Sequence, residues 1–109
     1  MSEEAEDIIS DFQRSVNMTP TELERWLSTP ESKNSGQSDG GGESKGHESG
    51  RRIVALLRTN RADYTDDDVA HMKKVRGYLN RHLAQRPSGD LRDTTWRYSL
   101  MNWGHDPLK

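Results

Sequence analysis

Apolar residues recur along this chain at the three-and-four spacing that marks one buried face of a helix, and nowhere with the period of two that marks a strand. Ile8, Ile9, Phe12 and Val16 make the first such stripe and predict a helix from Glu3 to Val16. Glu3, Glu4, Glu6 and Asp7 fill its first turns, where carboxylates complement the positive end of the helix dipole. A second helix begins at Thr19-Pro20-Thr21-Glu22. The spacing is that of a capping box, with proline at the first helical position, where its missing amide hydrogen is no loss. Met18 and Leu23 occupy the two positions of a hydrophobic staple, and Leu23, Trp26 and Leu27 form the buried face, with Pro30 limiting the end.

From residue 28 to residue 49 the apolar pattern stops. The stretch is Ser, Gly, Lys, Glu and Asn, which predicts a long Gly/Ser-rich loop. A third helix is expected from Ser49 or Gly50 to about Asn60, carrying Ile53, Val54, Leu56 and Leu57. Thr65 then caps a long helix with Asp66, Asp67 and Asp68 in its first turn. Val69, Met72, Val75, Leu79 and Leu83 give it a core stripe, and Pro87 and Gly89 end it. A short last helix, capped at Asp93 or Thr94, carries Trp96, Leu100 and Trp103 and stops at Gly104. The expected fold is therefore all-α: a small helical bundle of about five helices, one domain over residues 1–109.

Composition limits the core. Only 29% of the 109 residues are hydrophobic and 31% are charged, so the core is thin and depends on large side chains. With no cysteine, disulfides and thiolate metal sites are excluded. Met1 to Asp7 is acidic and lacks the pattern of a signal peptide, and no apolar run approaches the roughly 20 residues that span a bilayer. A cytoplasmic protein, off the membrane, is the expectation. The net charge of −2 conceals an asymmetry: residues 1–30 carry five net negative charges, residues 31–50 two, and residues 51–109 five net positive ones. The basic half either meets an anionic partner or is neutralised by packing against the acidic one.

Candidate chemistry is sparse. Asp39-Gly40-Gly41-Gly42-Glu43-Ser44-Lys45-Gly46 lacks the strand and the Gly-Lys-Ser/Thr order of a phosphate-binding loop. His47, His71, His82 and His105 are not at ligand spacing beside a carboxylate, although His71 and His82 could loosely share a face. Ser49, His47 and Asp106 could be assembled on paper into a triad, but no strand-turn-helix frame exposes the serine. No catalytic site, metal or cofactor is expected. Arg51 and Arg52 stand out because they open the expected third helix at its positive end, where the dipole disfavours bases by about 0.3–1 kcal/mol each. A phosphate held by Lys45, Ser49, Arg51, Arg52 and the free amides of Gly50 to Ile53 would resolve that conflict; pairing with the acidic first helix is the alternative. The outer face of the long helix, with Lys73, Lys74, Gly77, Asn80, Arg81 and Ala84, is small, polar and basic, and suits a phosphate backbone as well as it suits water. Arg76 projects towards the apolar side and needs a carboxylate or an outward path.

Four segments carry a resemblance: Asn17-Met18-Thr19-Pro20 through Trp26-Leu27, Gly46-His47-Glu48-Ser49-Gly50-Arg51-Arg52-Ile53-Val54, Arg81-His82-Leu83-Ala84-Gln85-Arg86-Pro87, and Trp96-Arg97-Tyr98-Ser99-Leu100-Met101-Asn102-Trp103-Gly104-His105-Asp106-Pro107. In these the chain resembles the family numbered 3140 among the domains of unknown function, from about Asp11 to Lys109, departing from it only in the glycines at 40–42. Members are often labelled DNA-binding or plasmid-stabilisation proteins, and the family has no known catalytic motif to carry over. The function expected is non-enzymatic binding of nucleic acid, DNA being the possible partner, through phosphate contacts of low sequence specificity by Lys45, Ser49, Arg51, Arg52, Lys73, Lys74 and Arg81. The alternative is a protein-interaction module using the acidic first helix or the Gly/Ser loop.

Overall fold

The computed structural model describes residues 3–34 and 45–109, which form six α-helices and one 3-10 turn, with no strand among the described residues. The helices are α1 (Glu3–Ser15), α2 (Pro20–Leu27), α3 (Pro30–Asn34), α4 (Lys45–Leu57), α5 (Asp66–Leu83) and α6 (Thr95–Asn102), with the 3-10 turn at Arg61–Asp63. The bundle is all-helical, as the periodicity predicts, with α3 as an addition.

Two helix starts follow the sequence rules closely. Thr19 accepts from the Glu22 amide at 3.1 Å while the Glu22 carboxylate accepts from the Thr19 amide at 3.0 Å. Thr65 and Asp68 repeat the same reciprocal pair at 3.1 and 3.0 Å. The last helix is capped by Thr94, whose hydroxyl accepts from the Arg97 amide, rather than by Asp93. In the expected loop, Thr29 Oγ1 accepts from the Ser32 amide and starts α3 at Pro30, the same Thr-Pro device as at residues 19–20.

The start of α4 corrects the sequence reading. The helix begins at Lys45, not at Ser49 or Gly50. Glu48 occupies its first turn, and Arg51 and Arg52 lie in its interior. The dipole conflict at residues 51–52 therefore does not arise, and the amides of Gly50 to Ile53 are inside the helix rather than free. Packing explains the shift. A Cβ at Gly50 would stand 2.5 Å from the Asn102 carbonyl oxygen and 2.6 Å from Leu27 Cδ2. Glycine here permits the close approach of α2, α4 and α6, which outweighs its poor helix propensity of about 1 kcal/mol.

The core is shared by all the longer helices. Ile9 and Phe12 of α1, Leu23 of α2, Ile53 of α4, Met72, Val75 and Leu79 of α5, and Leu100 of α6 are fully buried. The staple residues Met18 and Leu23 are both buried. Leu83 is the exception to the α5 stripe: it is 39% exposed. Helix α1 packs chiefly on α5, α2 on α4, and α6 touches α2 to α5. Across the first of these interfaces Arg76 Nη1 meets Asp11 Oδ2 at 3.0 Å, so the misplaced base of α5 has its carboxylate. The Arg76 and Arg14 guanidiniums hold the Asp11 carboxyl below its usual range.

A buried polar junction fastens α3 and α2 to α6. Asn102 is fully buried. Its Oδ1 accepts from Trp26 Nε1 at 2.7 Å and from the Ser32 hydroxyl, and its Nδ2 donates to the Ser32 carbonyl at 3.1 Å. Leaving any of these groups unpaired would cost about 1–3 kcal/mol.

Candidate functional site

A cleft of about 910 Å³ lies between the first half of α4, α5 and α6. Helix α4 contributes Gly46, Glu48, Ser49 and Arg52, successive turns of one face. From α5 come His71, Lys74, Tyr78, Arg81 and His82, again one stripe. Helix α6 and its end supply Thr95, Ser99, Asn102 and Trp103. Cavities of about 300–1,000 Å³ are the size class that takes small organic ligands.

Charge and hydrogen bonding distinguish the cleft from the rest of the surface. Arg52, Lys74 and Arg81 face it with Glu48 as the one lining acid. Among the described residues Arg52 has one weak ion pair, 3.5 Å from Asp68, whose carboxylate is already the cap of the Thr65 amide. Its guanidinium therefore keeps donors to offer. Beneath these bases Trp103, Tyr78 and His82 form a ladder of near-parallel rings, with centroids 4.1 Å apart for Trp103 and Tyr78 and 3.9 Å for Tyr78 and His82. Trp103 is 4% exposed, and its Nε1 has no hydrogen bond of good geometry, lying beside the Tyr78 hydroxyl. The buried Nδ1 of His82 also has no partner. Burial pushes the Tyr78 phenol above its ordinary pKa, against the pull of Ser99, Arg81 and Trp103.

At the α4–α5 wall, Ser49 Oγ lies 3.0 Å from His71 Nε2. Burial lowers the His71 pKa from 6.5 to about 4, and the neighbouring Arg52 and Lys74 push the same way. The imidazole is neutral at pH 7. So weakly basic a ring is a poor acceptor for a hydroxyl proton, and the pair braces two helices. The paper triad of Ser49, His47 and Asp106 does not assemble: His47 Nε2 donates to the Leu27 carbonyl at 2.6 Å, and Asp106 is paired with Arg97. Among the described residues no three His, Asp or Glu side chains could together hold a metal ion.

The structure thus divides the seven residues singled out in the sequence. Ser49, Arg52, Lys74 and Arg81 converge on the cleft. Arg51 points to the other side of α4, into a smaller recess of about 330 Å³ with Glu24, Leu27, Ser28, His47 and Val54. Lys73 is exposed on α5 and does not line the cleft. Lys45 opens α4, and its side chain lies outside the described residues, as does the stretch 35–44 of the expected Gly/Ser loop, with the glycines at 40–42. Arg52 turns to Asp68 of α5 rather than to the acidic α1. Sequence reasoning missed the ring ladder. Its signal was present, since His71, Lys74, Tyr78 and Arg81 recur at spacings of three and four, but Trp103 reads as core until α6 is docked.

The geometry defines a class: a small all-helical bundle with a basic cleft lined by stacked rings and no helix, among the described residues, long and apolar enough to cross a membrane. Within that class the chain belongs to the family described as protein of unknown function (DUF3140), whose model matches residues 11–101. No curated protein and no solved structure matches it.

Proposed function

We propose that this protein binds nucleic acid through its phosphates, with little sequence specificity, and that the cleft between α4, α5 and α6 is where it does so. The observation that carries the reading is the convergence of Arg52, Lys74 and Arg81, from two helices, on one recess with a single opposing acid. Charge-assisted hydrogen bonds from such groups are the usual means of holding phosphate. Phosphate contacts position a nucleic acid without reading its bases, so binding through them tolerates sequence. The contributing residues are Ser49, Arg52, Lys74 and Arg81, with Lys73 outside the cleft as a further phosphate contact on α5. Arg51 drops out, since it lies across α4 from the others. The reading is of a binding protein and not an enzyme, because the Ser49–His71 pair lacks basicity and a third orienting carboxylate.

The test is fluorescence anisotropy with labelled oligonucleotides at two salt concentrations. The double variant Arg52→Ala, Lys74→Ala lowers affinity for every sequence. It also reduces the slope of log affinity against log salt by about 0.7–0.9 for each contact removed. Arg51→Ala leaves both unchanged. Wild-type protein that binds no oligonucleotide at low salt would overturn the reading.

A further inference from the structure

One residue of the cleft has no part in the binding described so far. His71 stands on α5 one turn before Lys74, and both line the recess that Arg52 lines from α4. Its ring is held from two sides. Nε2 lies 3.0 Å from the Ser49 hydroxyl, and the imidazole is nearly parallel to the Trp103 indole, with centroids 6.3 Å apart. The Ser49 bond occupies one ring nitrogen and leaves Nδ1 for a second partner. A hydroxyl donates to a neutral imidazole nitrogen and accepts from a protonated one, so this bond between α4 and α5 survives either state of the ring.

The surrounding charges set that state. Arg52 and Glu48 line the cleft from α4, and Lys74 and Arg81 from α5, where the titratable rings of Tyr78 and His82 follow. The α6 wall adds Thr95, Ser99, Asn102 and Trp103, none of them charged. Helix α1 packs on another face of α5, where its Asp11 pairs with Arg76. Asp68, one turn before His71, favours a charged ring, but it is shared with the Thr65 amide and Arg52. Burial, Arg52 and Lys74 outweigh it and hold the imidazole neutral, with its pKa at about 4.

We propose that His71 is a further phosphate-binding residue of this cleft and takes up a proton as the phosphate enters, so that binding strengthens on acidification. The inference rests on the nucleic-acid reading above and adds the regulation of that site. A phosphate among Arg52, Lys74 and Arg81 cancels the push of those bases on the ring and adds an attraction of its own. The imidazolium then serves as a fourth cationic donor beside the two arginines and the lysine. The coupling is reciprocal: the factor by which the anion raises the proton affinity of His71 is the factor by which the proton raises affinity for the anion. The complex holds the proton more tightly than the free protein does, so affinity climbs as pH falls from neutrality towards the free value of about 4.

The probe is a labelled oligothymidylate without a terminal phosphate, whose bases and phosphodiesters do not titrate in the range used. Its affinity is measured at low salt between about pH 7.5 and 5, with circular dichroism confirming the fold at each pH. Wild type binds about threefold or more tighter at the acid end, and the NMR signal of the His71 Cε1 proton shows a proton affinity raised by about thirtyfold or more in the saturated complex. His71→Gln keeps a hydrogen-bonding amide beside Ser49 but cannot titrate, and it loses that gain. The NMR titration of wild type reads the same coupling if the variant does not fold. Level wild-type affinity, an unmoved His71 titration, or a His71→Gln variant that keeps the gain in full would overturn the inference while phosphate binding stands. Absence of binding across the whole range overturns both.

Discussion

Two regions built largely from the chain's carboxy-terminal third treat polar groups in opposite ways. Where residues 103–109 return to the α1–α2 turn, the polar groups of the turn are matched. Asn17 exchanges two hydrogen bonds with the Asp106 backbone, at 2.9 and 2.8 Å. The Gly104 carbonyl accepts from the amides of Asn17 and Met18, and His105 Nδ1 donates to the Ser15 carbonyl at 2.6 Å. Arg97 grips Asp106 with two bonds of 3.1 Å. Burial pushes the Asp106 carboxyl up, but Arg97 and the Leu108 amide outweigh it and hold the group below its usual range. Across α6, the cleft gathers three bases against one acid, and the buried Nδ1 of His82 has no partner among the described residues. The matched set stabilises the fold, and the surplus of base in the recess is what motivates the proposed phosphate binding. The motif Trp103-Gly104-His105-Asp106 is thereby divided: Trp103 faces the cleft, and the residues after it close the fold.

The comparison predicts where substitutions are felt. The largest effect falls at Gly104, which has φ +82° and whose added Cβ would stand 2.9 Å from Val16 Cγ1. Gly104→Ala combines a left-handed backbone with overpacking and lowers stability by about 2–4 kcal/mol, read as a thermal melt. A midpoint within a degree of wild type would break the clamp assignment. Next comes Asn17→Ala, which removes both bonds to Asp106 and costs about 1–2 kcal/mol in a urea titration.

Acidification probes the cleft wall. His71 has its pKa lowered to about 4 in the fold against 6.5 unfolded, so the unfolded chain takes up the proton first as pH falls. Stability is therefore full above pH 6.5 and declines between pH 6.5 and 4, by about 1–2 kcal/mol once solvent screening of this half-buried ring is allowed for. His71→Gln flattens the profile in that window. The lowered carboxylates Asp11, Glu22 and Asp106 act in a more acid window: their contribution is present above the ordinary carboxylate values and is lost as pH falls from there through their depressed ones. A wild-type profile that is level from pH 6.5 to 4 would contradict the buried, neutral assignment of His71. The smallest stability effects belong to Arg52→Ala, Lys74→Ala and Arg81→Ala, each within about 0.5 kcal/mol of wild type.

The sequence made the same distinction only in part. Helices α2 and α5 announce themselves because their capping boxes are local, formed by residues three apart. The five residues of α3 carry the same Thr-Pro start but no apolar stripe, so Pro30 reads as an ending. The α4 start was misplaced because Gly46 and Gly50 look like breakers until the close approach of Leu27, Asn102 and Trp103 is known. That misplacement made Arg51 and Arg52 a pair. The fold separates them, since neighbours in a helix point about 100° apart. Lys74 and Arg81 were legible as a basic face, but their partner Arg52 and the rings beneath them meet only through tertiary packing.

If the clamp carries the fold and the cleft carries the proposed binding, the two separate on one pair of variants. Melting midpoint and oligonucleotide affinity, the latter well below the melting range, are measured on Asn17→Ala and on the triple variant Arg52→Ala, Lys74→Ala, Arg81→Ala. The expected result is crossed: the clamp variant melts lower and binds like wild type, while the triple variant melts like wild type and loses binding with a flattened salt dependence. A triple variant that melts as low as the clamp variant, with oligonucleotide affinity unchanged, would contradict it.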